Sequence, residues 1–527
     1  MTITSAKSLL LSITIFFSIL PSPSFSFDLE RSFLRCFASG SGNSNLTSRI
    51  VFAKSSSSYN HLLKSFIRNL RFSDNSVPKP NFIVTPREIL HIQKAVLCAK
   101  RHDLQARVVS GGHDYEGLSY VSDVPFLIID LVNLRSITID IKSDSAWIEA
   151  GAALGELYYA VAKHSKIHGF PAGTCPTVGV GGHLSGGGFG TIFRKYGLAA
   201  DQIIDAKIVD VNGKLLDRTS MGEDLFWAIK GGGGSSFGVI TAWKVKLVPV
   251  PPTVTTFNIP KTLDQGATNI FLKWQRIAAK LPGELFLDIV IGVDNSPPSA
   301  GKTIKVSFGG LYLGTVDNLL SMMQNNFTEL GLQRENCTEM SWIQSVLSFA
   351  GFSIDDPLEV LLQRNGTSGR FKAKSDYVNE PIPVIGVEGL WKMLLESSAV
   401  LILTPYGGRM SEISESETPF SHRKGNIYGI QYLVYWDSNE DSQKSIDQLR
   451  RLYAYMGPYV SKNPRAAYLN YKDLDLGVNR GNTTYEEAKA WGLKYFKHNF
   501  ERLARVKARI DPGNFFRDQQ SIPPLFP

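Results

Sequence analysis

Between positions 78 and about 250, apolar residues recur with the spacing of a helix in some stretches and form short strand-like runs in others. Residues 86–100 place apolar side chains at helical spacing, which predicts an amphipathic helix with Thr85 as its N-cap. Strand-like apolar runs bounded by turn residues lie at 106–110, 126–130 and 146–149. Because helix and strand signals alternate, this part of the chain is predicted to be a unit of the α+β class.

A second unit is predicted beyond the proline-rich stretch at 248–252. Apolar residues alternate with polar ones, as in strands, at 286–293, 304–313 and 427–436. Helical spacing recurs at 317–331 and 445–456. These patterns predict a mostly antiparallel sheet backed by helices.

The N-terminus carries Lys7 and then an apolar run from Ser8 to Leu20. This run is too short to span a bilayer and has the order of a secretory signal peptide, which predicts removal of residues 1–26. No second long apolar run follows in the sequence, so we expect a secreted protein without a membrane span, outside the cell or in the cell wall. The vacuole or another endomembrane lumen is the alternative. Glycosylation is expected at the Asn-x-Ser/Thr sequons of Asn45, Asn326, Asn336, Asn365 and Asn482.

The composition bears on possible partners. The chain has 527 residues, 43% of them hydrophobic and 20% charged, which suits two or more globular units. Its net charge of +8 comes from 56 basic and 48 acidic residues without a long basic run. This pattern argues against nucleic acid as a partner and favours at most a weak attraction to an acidic polysaccharide matrix.

Two glycine-rich stretches, 107–117 and 171–190, stand out from the rest of the chain. Glycine clusters often only make tight turns, but they also expose backbone N–H groups that bind anions such as a pyrophosphate. Each stretch carries one nucleophile, His113 in the first and Cys175 in the second. Neither fits the spacing of a P-loop or of a Rossmann motif. The pattern favours a nucleotide cofactor that is held in another way.

The stretches Ser-Gly-Gly-His-Asp-Tyr-Glu-Gly (110–117) and Gly-Thr-Cys-Pro-Thr-Val-Gly-Val-Gly-Gly-His (173–183) resemble the plant berberine bridge enzyme-like proteins, a branch of the vanillyl-alcohol oxidase flavoproteins. Further matching motifs lie at 196–201, 222–234, 470–477 and 511–516. The resemblance covers essentially the whole mature chain. It implies a two-domain α+β flavoprotein, with an FAD-binding domain at 27–252, a substrate domain at 253–462 and a C-terminal segment at 463–527 that returns to the FAD-binding domain.

The resemblance further implies that FAD is bonded covalently to both His113 and Cys175. It implies additional cofactor-binding positions at Ser110, Gly111, Gly112, Asp114, Thr174, Val178, Gly181, Gly182, His183, Val239 and Asn514. Counting four cysteines leaves three possible disulfide connectivities, and the resemblance selects Cys36 with Cys98. Cys337 is then expected to be a buried, unpaired thiol.

Oxidation of an alcohol requires a base for the hydroxyl proton and an acceptor for the hydride. By resemblance, Tyr471 is the base, Tyr115 is its partner and Gln431 orients the substrate oxygen. A tyrosine base needs a nearby cation or strong donor, because its ordinary pKa is about 10. Some relatives carry lysine or glutamate where this chain has Gly429, which removes the charge and makes room for a larger substrate. Without the resemblance, ordinary core tyrosines would be the simpler interpretation.

Val178 lies where, by resemblance, valine is typical of oxidases and leucine of dehydrogenases. We therefore expect electrons to pass to dioxygen, giving hydrogen peroxide. His168 and His183 invite a metal hypothesis, but no His, Asp or Glu set has ligand spacing, so no metal is predicted.

The substrate class is the least determined feature. The first choice is a sugar or cell-wall oligosaccharide whose reducing end is oxidised to the lactone. The enzyme itself is expected to be a monomer. The alternatives are an aromatic alcohol of the monolignol type or an alkaloid, and a flavin-bearing cyclase or binding module without redox activity. The presence of His113, Cys175, Tyr115, Gln431 and Tyr471 together argues against this last alternative.

Overall fold

The computed structural model describes residues 23–39, 47–295, 301–366, 368–438 and 441–526. Most of the predicted signal peptide lies outside these residues, and so does the sequon at Asn45. In the described ranges, three larger sheets and the helices packed on them form the fold.

The first sheet has the strand order β1-β2-β4-β3, with β2, β4 and β3 parallel and β1 antiparallel. Its strands are β1 (Val51–Ala53), β2 (Phe82–Val84), β3 (Gln105–Val109) and β4 (Phe126–Asp130). Every residue of β4 is buried, as expected for an inner strand covered on both faces. The helices of this part are α1 (Pro23–Ala38), α2 (Tyr59–Phe66) and α3 (Ile89–Arg101).

Helix α3 begins three residues later than the sequence predicts. Its N-cap is Glu88 in an extended conformation, without a side-chain capping bond, so the prediction of Thr85 as N-cap was wrong. A residue before proline is pushed towards extended backbone, and Pro86 follows Thr85. The Thr85 N–H instead donates to the carbonyl of Ile50 (2.8 Å) and continues the pairing of β1 with β2.

The second sheet is antiparallel, in the order β5-β6-β10-β8-β9. Its strands are β5 (Ile137–Asp140), β6 (Ser145–Glu149), β8 (Ile203–Val209), β9 (Leu215–Leu216) and β10 (Val239–Lys246). A small pair joins β7 (His168–Gly169) to β11 (Val248–Pro249). The helices between these strands are α4 (Leu154–His164), α5 (Val180–Ser185), α6 (Phe193–Tyr196) and α7 (Arg218–Ile229).

The third sheet has seven antiparallel strands in the order β15-β12-β14-β13-β17-β18-β16. They are β12 (Val254–Thr262), β13 (Leu285–Asp294), β14 (Thr303–Tyr312), β15 (Cys337–Met340), β16 (Arg370–Val378), β17 (Val400–Pro405) and β18 (Tyr428–Trp436). Helices α8 (Ala267–Ile277), α9 (Val316–Asn326), α10 (Trp342–Phe349), α11 (Val384–Leu395) and α12 (Ser442–Met456) lie between them. The predicted antiparallel sheet with helices is confirmed.

Strand β13 shows how side-chain alternation divides the two faces of this sheet. Leu285, Leu287, Ile289 and Ile291 are fully buried in the core beneath the helices. Because successive side chains point to opposite faces, Phe286, Asp288 and Val290 lie on the other face. That second face therefore lies outside this hydrophobic core.

The chain ends with helices α13 (Tyr485–Phe496) and α14 (Asn499–Ile510). One hydrophobic core combines side chains of 33–254 with side chains of 466–522 and with twelve side chains from 286–420, and a second core lies within 257–460. The domain boundaries stay a prediction.

The cysteines follow the expected pairing. Cys36 of α1 and Cys98 of α3 form a disulfide, whereas Cys175 and Cys337 are free thiols. Cys337 is half-buried, not fully buried as expected, and its thiol contacts the carbonyl of Gln333 (3.5 Å). In the described part of the chain, each helix is too short or too polar to cross a membrane.

Candidate active site

A cavity of about 890 Å³ lies between the glycine-rich loops and the open face of the seven-stranded sheet. This volume is near the upper end for ligand sites in proteins. The loop after β3 and the segment before α5 supply one wall, and β13, β17 and β18 supply the opposite wall. The cavity therefore accommodates a large ligand with a second molecule against the sheet.

His113 and Cys175 approach each other in this cavity through a shared neighbour, Thr177. Nε2 of His113 is 2.9 Å from the Thr177 hydroxyl oxygen, and Sγ of Cys175 is 3.5 Å from the same oxygen. Two nucleophiles that are distant in sequence are thus placed side by side.

The histidines of the cavity are uncharged at neutral pH. Burial, with a smaller contribution from the Arg68 guanidinium, lowers the pKa of His113 to about 4. Burial likewise lowers the pKa of His183 to about 4, and its Nε2 accepts a hydrogen bond from the Gly173 N–H (3.0 Å). A neutral imidazole keeps a lone pair, which His113 needs in order to act as a nucleophile.

Tyr115, Tyr471 and Gln431 also meet in this cavity. The two tyrosine rings stack nearly parallel, with centroids 5.4 Å apart and an interplanar angle of 6°. The Gln431 side-chain amide donates a hydrogen bond to the Tyr115 hydroxyl (2.6 Å). Phe371 packs edge-on against Tyr115, with centroids 5.2 Å apart. The predicted catalytic set is therefore one contiguous cluster.

Neither tyrosine is activated by a cation in this environment. Burial raises the pKa of Tyr115 and of Tyr471 well above the ordinary value, and for Tyr471 the neighbouring tyrosines raise it further. Only the Gln431 hydrogen bond acts in the opposite direction, on Tyr115. A Cβ at Gly429 would lie 3.6 Å from the rings of Tyr377 and Tyr406, so the room expected beside Gly429 is partly filled.

A buried ion network holds the loops of the two tyrosines. Lys372 on β16 pairs with Glu116, which follows Tyr115, and with Asp473 (2.8 Å), two residues after Tyr471. Burial alone lowers the pKa of Lys372, but its carboxylate neighbours outweigh this effect and keep the pKa raised. The network also includes Arg71, Lys374, Arg450 and Asp475. The pairs of Lys372 alone join three segments that are distant in sequence.

The sheet wall of the cavity is mostly apolar. Its lining side chains come from alternate positions of the strands: Phe286, Asp288, Val290, Ile402, Thr404, Gln431, Leu433 and Tyr435. Such a wall suits a ring system better than a fully hydroxylated ligand.

Most predicted site residues line the cavity, including both nucleophiles, the catalytic cluster and the positions at 110–112, Asp114, Thr174, Val178, Gly181, Gly182 and His183. Val239 does not, because it alternates with Gly238 and Ile240, which do. Asn514 is also absent from the described wall and lies in the turn after α14.

The sequence analysis missed Thr177, Lys372 and Asp288. Thr177 is only two residues after Cys175, so its position in the motif was a usable signal. Asp288 interrupts an apolar strand pattern, which is also a signal in the sequence. Lys372 gave no signal, because its partners are distant in sequence.

The residues present fit FAD. Three cavity-lining side chains have a buried polar atom without a partner in the described structure, namely Nε of Arg68, Nε of Arg107 and the hydroxyl of Ser119. A Cβ at Gly182 would meet nothing within 4 Å, so the backbone there is open to the cavity. Among the described residues, no group of three or more His, Cys, Asp or Glu side chains is placed to hold a metal ion.

The fold and the site define an FAD-dependent oxidoreductase. The family model "FAD binding domain" matches residues 80–219, and "Berberine and berberine like" matches residues 467–523. Tetrahydroberberine oxidase from Berberis wilsoniae is 51% identical over 528 residues, covering 99% of each chain. A monolignol oxidoreductase, AtBBE-like 13 from Arabidopsis thaliana, is 50% identical over 503 residues, covering 94% of each.

Among solved structures, the grass pollen allergen Phl p 4, titled as having glucose dehydrogenase activity, superposes with a TM-score of 0.89. It shares 47% identity and covers 94% of this chain and 100% of its own. The chain belongs to the berberine bridge enzyme-like family of flavoproteins.

Replacing Lys372 with Met tests the ion network. The variant leaves Glu116 and Asp473 buried with fewer partners, and we expect the free energy of unfolding to fall by about 3 kcal/mol. Urea denaturation of the folded protein measures it. As the matched control, Lys305→Met removes a half-exposed lysine that pairs with Asp294, and should cost less than about 1 kcal/mol. Equal losses in both variants would contradict the proposed role of Lys372.

Proposed function

We propose that this protein is a secreted oxidase whose FAD is bonded to both His113 and Cys175, and that it removes a hydride from an alcohol carbon. The observation that carries this proposal is the placement of both nucleophiles and the Tyr115, Tyr471 and Gln431 cluster in a single cavity. When bound, FAD accepts the hydride from the substrate carbon.

The proposed attachment follows from the nucleophiles themselves. Nε2 of His113 is occupied by the Thr177 hydroxyl, which leaves Nδ1 for the bond to the cofactor. Cys175 is a free thiol, and it approaches the same hydroxyl. The shared threonine supports attachment of a single ring system at both points.

In the proposed reaction, Tyr115 and Gln431 form hydrogen bonds around the substrate hydroxyl, and Tyr471 removes its proton. Gln431 donates to the Tyr115 oxygen, so the Tyr115 proton remains available to the substrate oxygen. Tyr471, once it has lost its own proton, receives the hydroxyl proton as general base. Burial opposes the tyrosinate, so we infer that only the ionised fraction reacts and that flavin reduction becomes faster as the pH rises.

Dioxygen is the proposed acceptor of the electrons, giving hydrogen peroxide. Val178 lines the cavity three residues after Cys175, with a smaller side chain than the leucine typical of dehydrogenases. An isoleucine-to-valine variant of Phl p 4 is a glucose oxidase, and the wild type is a glucose dehydrogenase. This contrast supports an influence of valine on the choice of acceptor.

For the substrate, the apolar sheet wall favours an aromatic compound over the sugar that the sequence suggested. Phe286, Val290 and Leu433 offer surfaces for a ring. The tetrahydroberberine oxidase and the monolignol oxidoreductase among the relatives support this class. A sugar stays the second candidate, because Thr404, Gln431 and the Tyr435 hydroxyl offer polar contacts on the same wall.

Secretion into an extracellular or cell-wall compartment is supported by the disulfide between Cys36 and Cys98. The sequon asparagines Asn326, Asn365 and Asn482 are exposed, as glycosylation requires, whereas Asn336 is half-buried.

Substitution of the two nucleophiles tests the cofactor linkage. We expect the yellow colour to stay with the protein after acid precipitation in the wild type and in the single variants His113→Ala and Cys175→Ala. The double variant should release all of its FAD, because no bond remains. Absorbance of pellet and supernatant measures this. Free FAD from the wild type would refute covalent attachment.

A panel of monolignols, alkaloids and sugars tests the reaction, with peroxide and flavin absorbance followed together. We expect an aromatic substrate to bleach the flavin anaerobically and to give peroxide in air. Tyr471→Phe should slow flavin reduction by about 10²- to 10⁴-fold, as loss of a general base does. Tyr455→Phe, which removes a hydroxyl bound to the Gly386 carbonyl away from the described wall, is the matched control and should leave the rate unchanged. Bleaching by sugars alone would select the second candidate.

Val178→Leu separates the two half-reactions. The larger side chain should slow reoxidation of the reduced protein by dioxygen about tenfold, an added barrier of ~1.4 kcal/mol, and leave reduction by substrate unchanged. Stopped-flow mixing with dioxygen measures reoxidation. Unchanged reoxidation in this variant would remove Val178 from the argument for an oxidase.

A further inference from the structure

Asp288 is a carboxylic acid in the middle of the mostly apolar sheet wall. It lies on β13 between Phe286 and Val290, and all three side chains line the cavity. Among the described residues, no other side chain donates a hydrogen bond to Asp288, and it takes part in no ion pair. The proposed mechanism gives it no task.

The neighbours of Asp288 across the sheet are small and uncharged. Gly309 of β14 lies directly opposite, and a Cβ there would be 3.7 Å from Oδ1 of Asp288. On the other side Ile289 pairs with Leu403, so continuing the register by one residue places Thr404 opposite Asp288. Thr404 is in turn paired with Gly429. This row of residues across the sheet, Gly309, Asp288, Thr404 and Gly429, therefore leaves space around the carboxyl group and contains no cation.

Two other buried acids of this protein are paired with cations. Asp376 accepts two hydrogen bonds from Arg465 (2.6 and 2.7 Å), and Asp473 pairs with Lys372 and Lys374. Burial raises the pKa of Asp288 to about 7, and no charged side chain contributes to lower it. Asp288 is half-buried, and an acid withdrawn from water without a partner is costly unless something else supplies one.

We propose that Asp288 is a specificity-determining residue that binds a protonated nitrogen of the substrate, and so selects among aromatic substrates those that carry a basic amine away from the oxidised carbon. This inference deepens the proposed function and rests on it. Strands are about 4.8 Å apart, so the row places Asp288 roughly 10 Å from Gly429. The nitrogen is thus held at a distance from the carbon that is oxidised beside Tyr115 and Tyr471.

An amine suits this position better than a hydroxyl group. An ionised carboxylate only accepts hydrogen bonds, and its bonds to a cation are about twice as strong as neutral ones. The apolar neighbours Phe286 and Val290 lower the local dielectric constant, which strengthens a charge pair. They also contact the ring that carries the amine.

The test compares two substrates that differ in charge, 4-(2-aminoethyl)benzyl alcohol and the uncharged 4-ethylbenzyl alcohol. We expect the wild type to prefer the amine in kcat/KM, and Asp288→Asn to lose about tenfold to a hundredfold towards the amine only. Asp288→Glu, which keeps the charge, should retain the preference. Asp294→Asn on the same strand, where Asp294 pairs with Lys305, is the control and should change neither substrate.

The same alcohols are also titrated anaerobically by calorimetry, so that binding is read separately from oxidation. Tighter binding of the amine without any flavin bleaching would disprove the oxidation but keep the role of Asp288. Equal affinity of the wild type for both compounds, or equal losses for both in Asp288→Asn, would overturn the inference. Asp288→Leu, which matches the apolar wall, serves as a second uncharged variant if Asp288→Asn does not fold.

Discussion

The structure depends on a buried charge pairing between segments that are distant in sequence and in contact in the fold. Lys372 lies on a strand of the seven-stranded sheet, and its carboxylate partners Glu116 and Asp473 lie in two loops that are distant in sequence and meet at this lysine. Burying charges costs free energy, which only several well-placed partners recover. The arrangement is therefore satisfied at one relative position of these three segments. That position is also the one that stacks Tyr115 on Tyr471.

Side-chain alternation explains how a single sheet serves two purposes. One face of β13 packs beneath helices in a hydrophobic core, and the opposite face forms a wall of the cavity. Neighbouring strands repeat this division, so residues two apart along a strand and opposite one another across strands act together on a ligand. Specificity can then change at single positions of the wall while the core beneath stays intact.

Much of the fold could be predicted from local patterns. Strand β4 occupies the predicted residues, and β13 extends the predicted range by one residue at each end, because alternation and turn residues are local signals. The start of α3 was misplaced, because Thr85 pairs with Ile50 and this contact is not encoded locally. The helix predicted at 317–331 ends at Asn326 and continues as a separate turn at Thr328–Leu330. In the site, the motifs identified the nucleophiles and tyrosines. The role of Lys372 could not be predicted, because its ion-pair partners are distant in sequence.

The position of Thr177 has a consequence for the architecture of the protein as a whole. Because His113 and Cys175 sit in different loops, a cofactor bonded to both is a covalent crosslink that closes a loop of the chain. Crosslinks restrict the unfolded chain more than the folded one. The prosthetic group would then stabilise the folded chain as well as take part in the reaction. The proposed secretion would add a second benefit, since a crosslinked cofactor is not lost by dilution outside the cell.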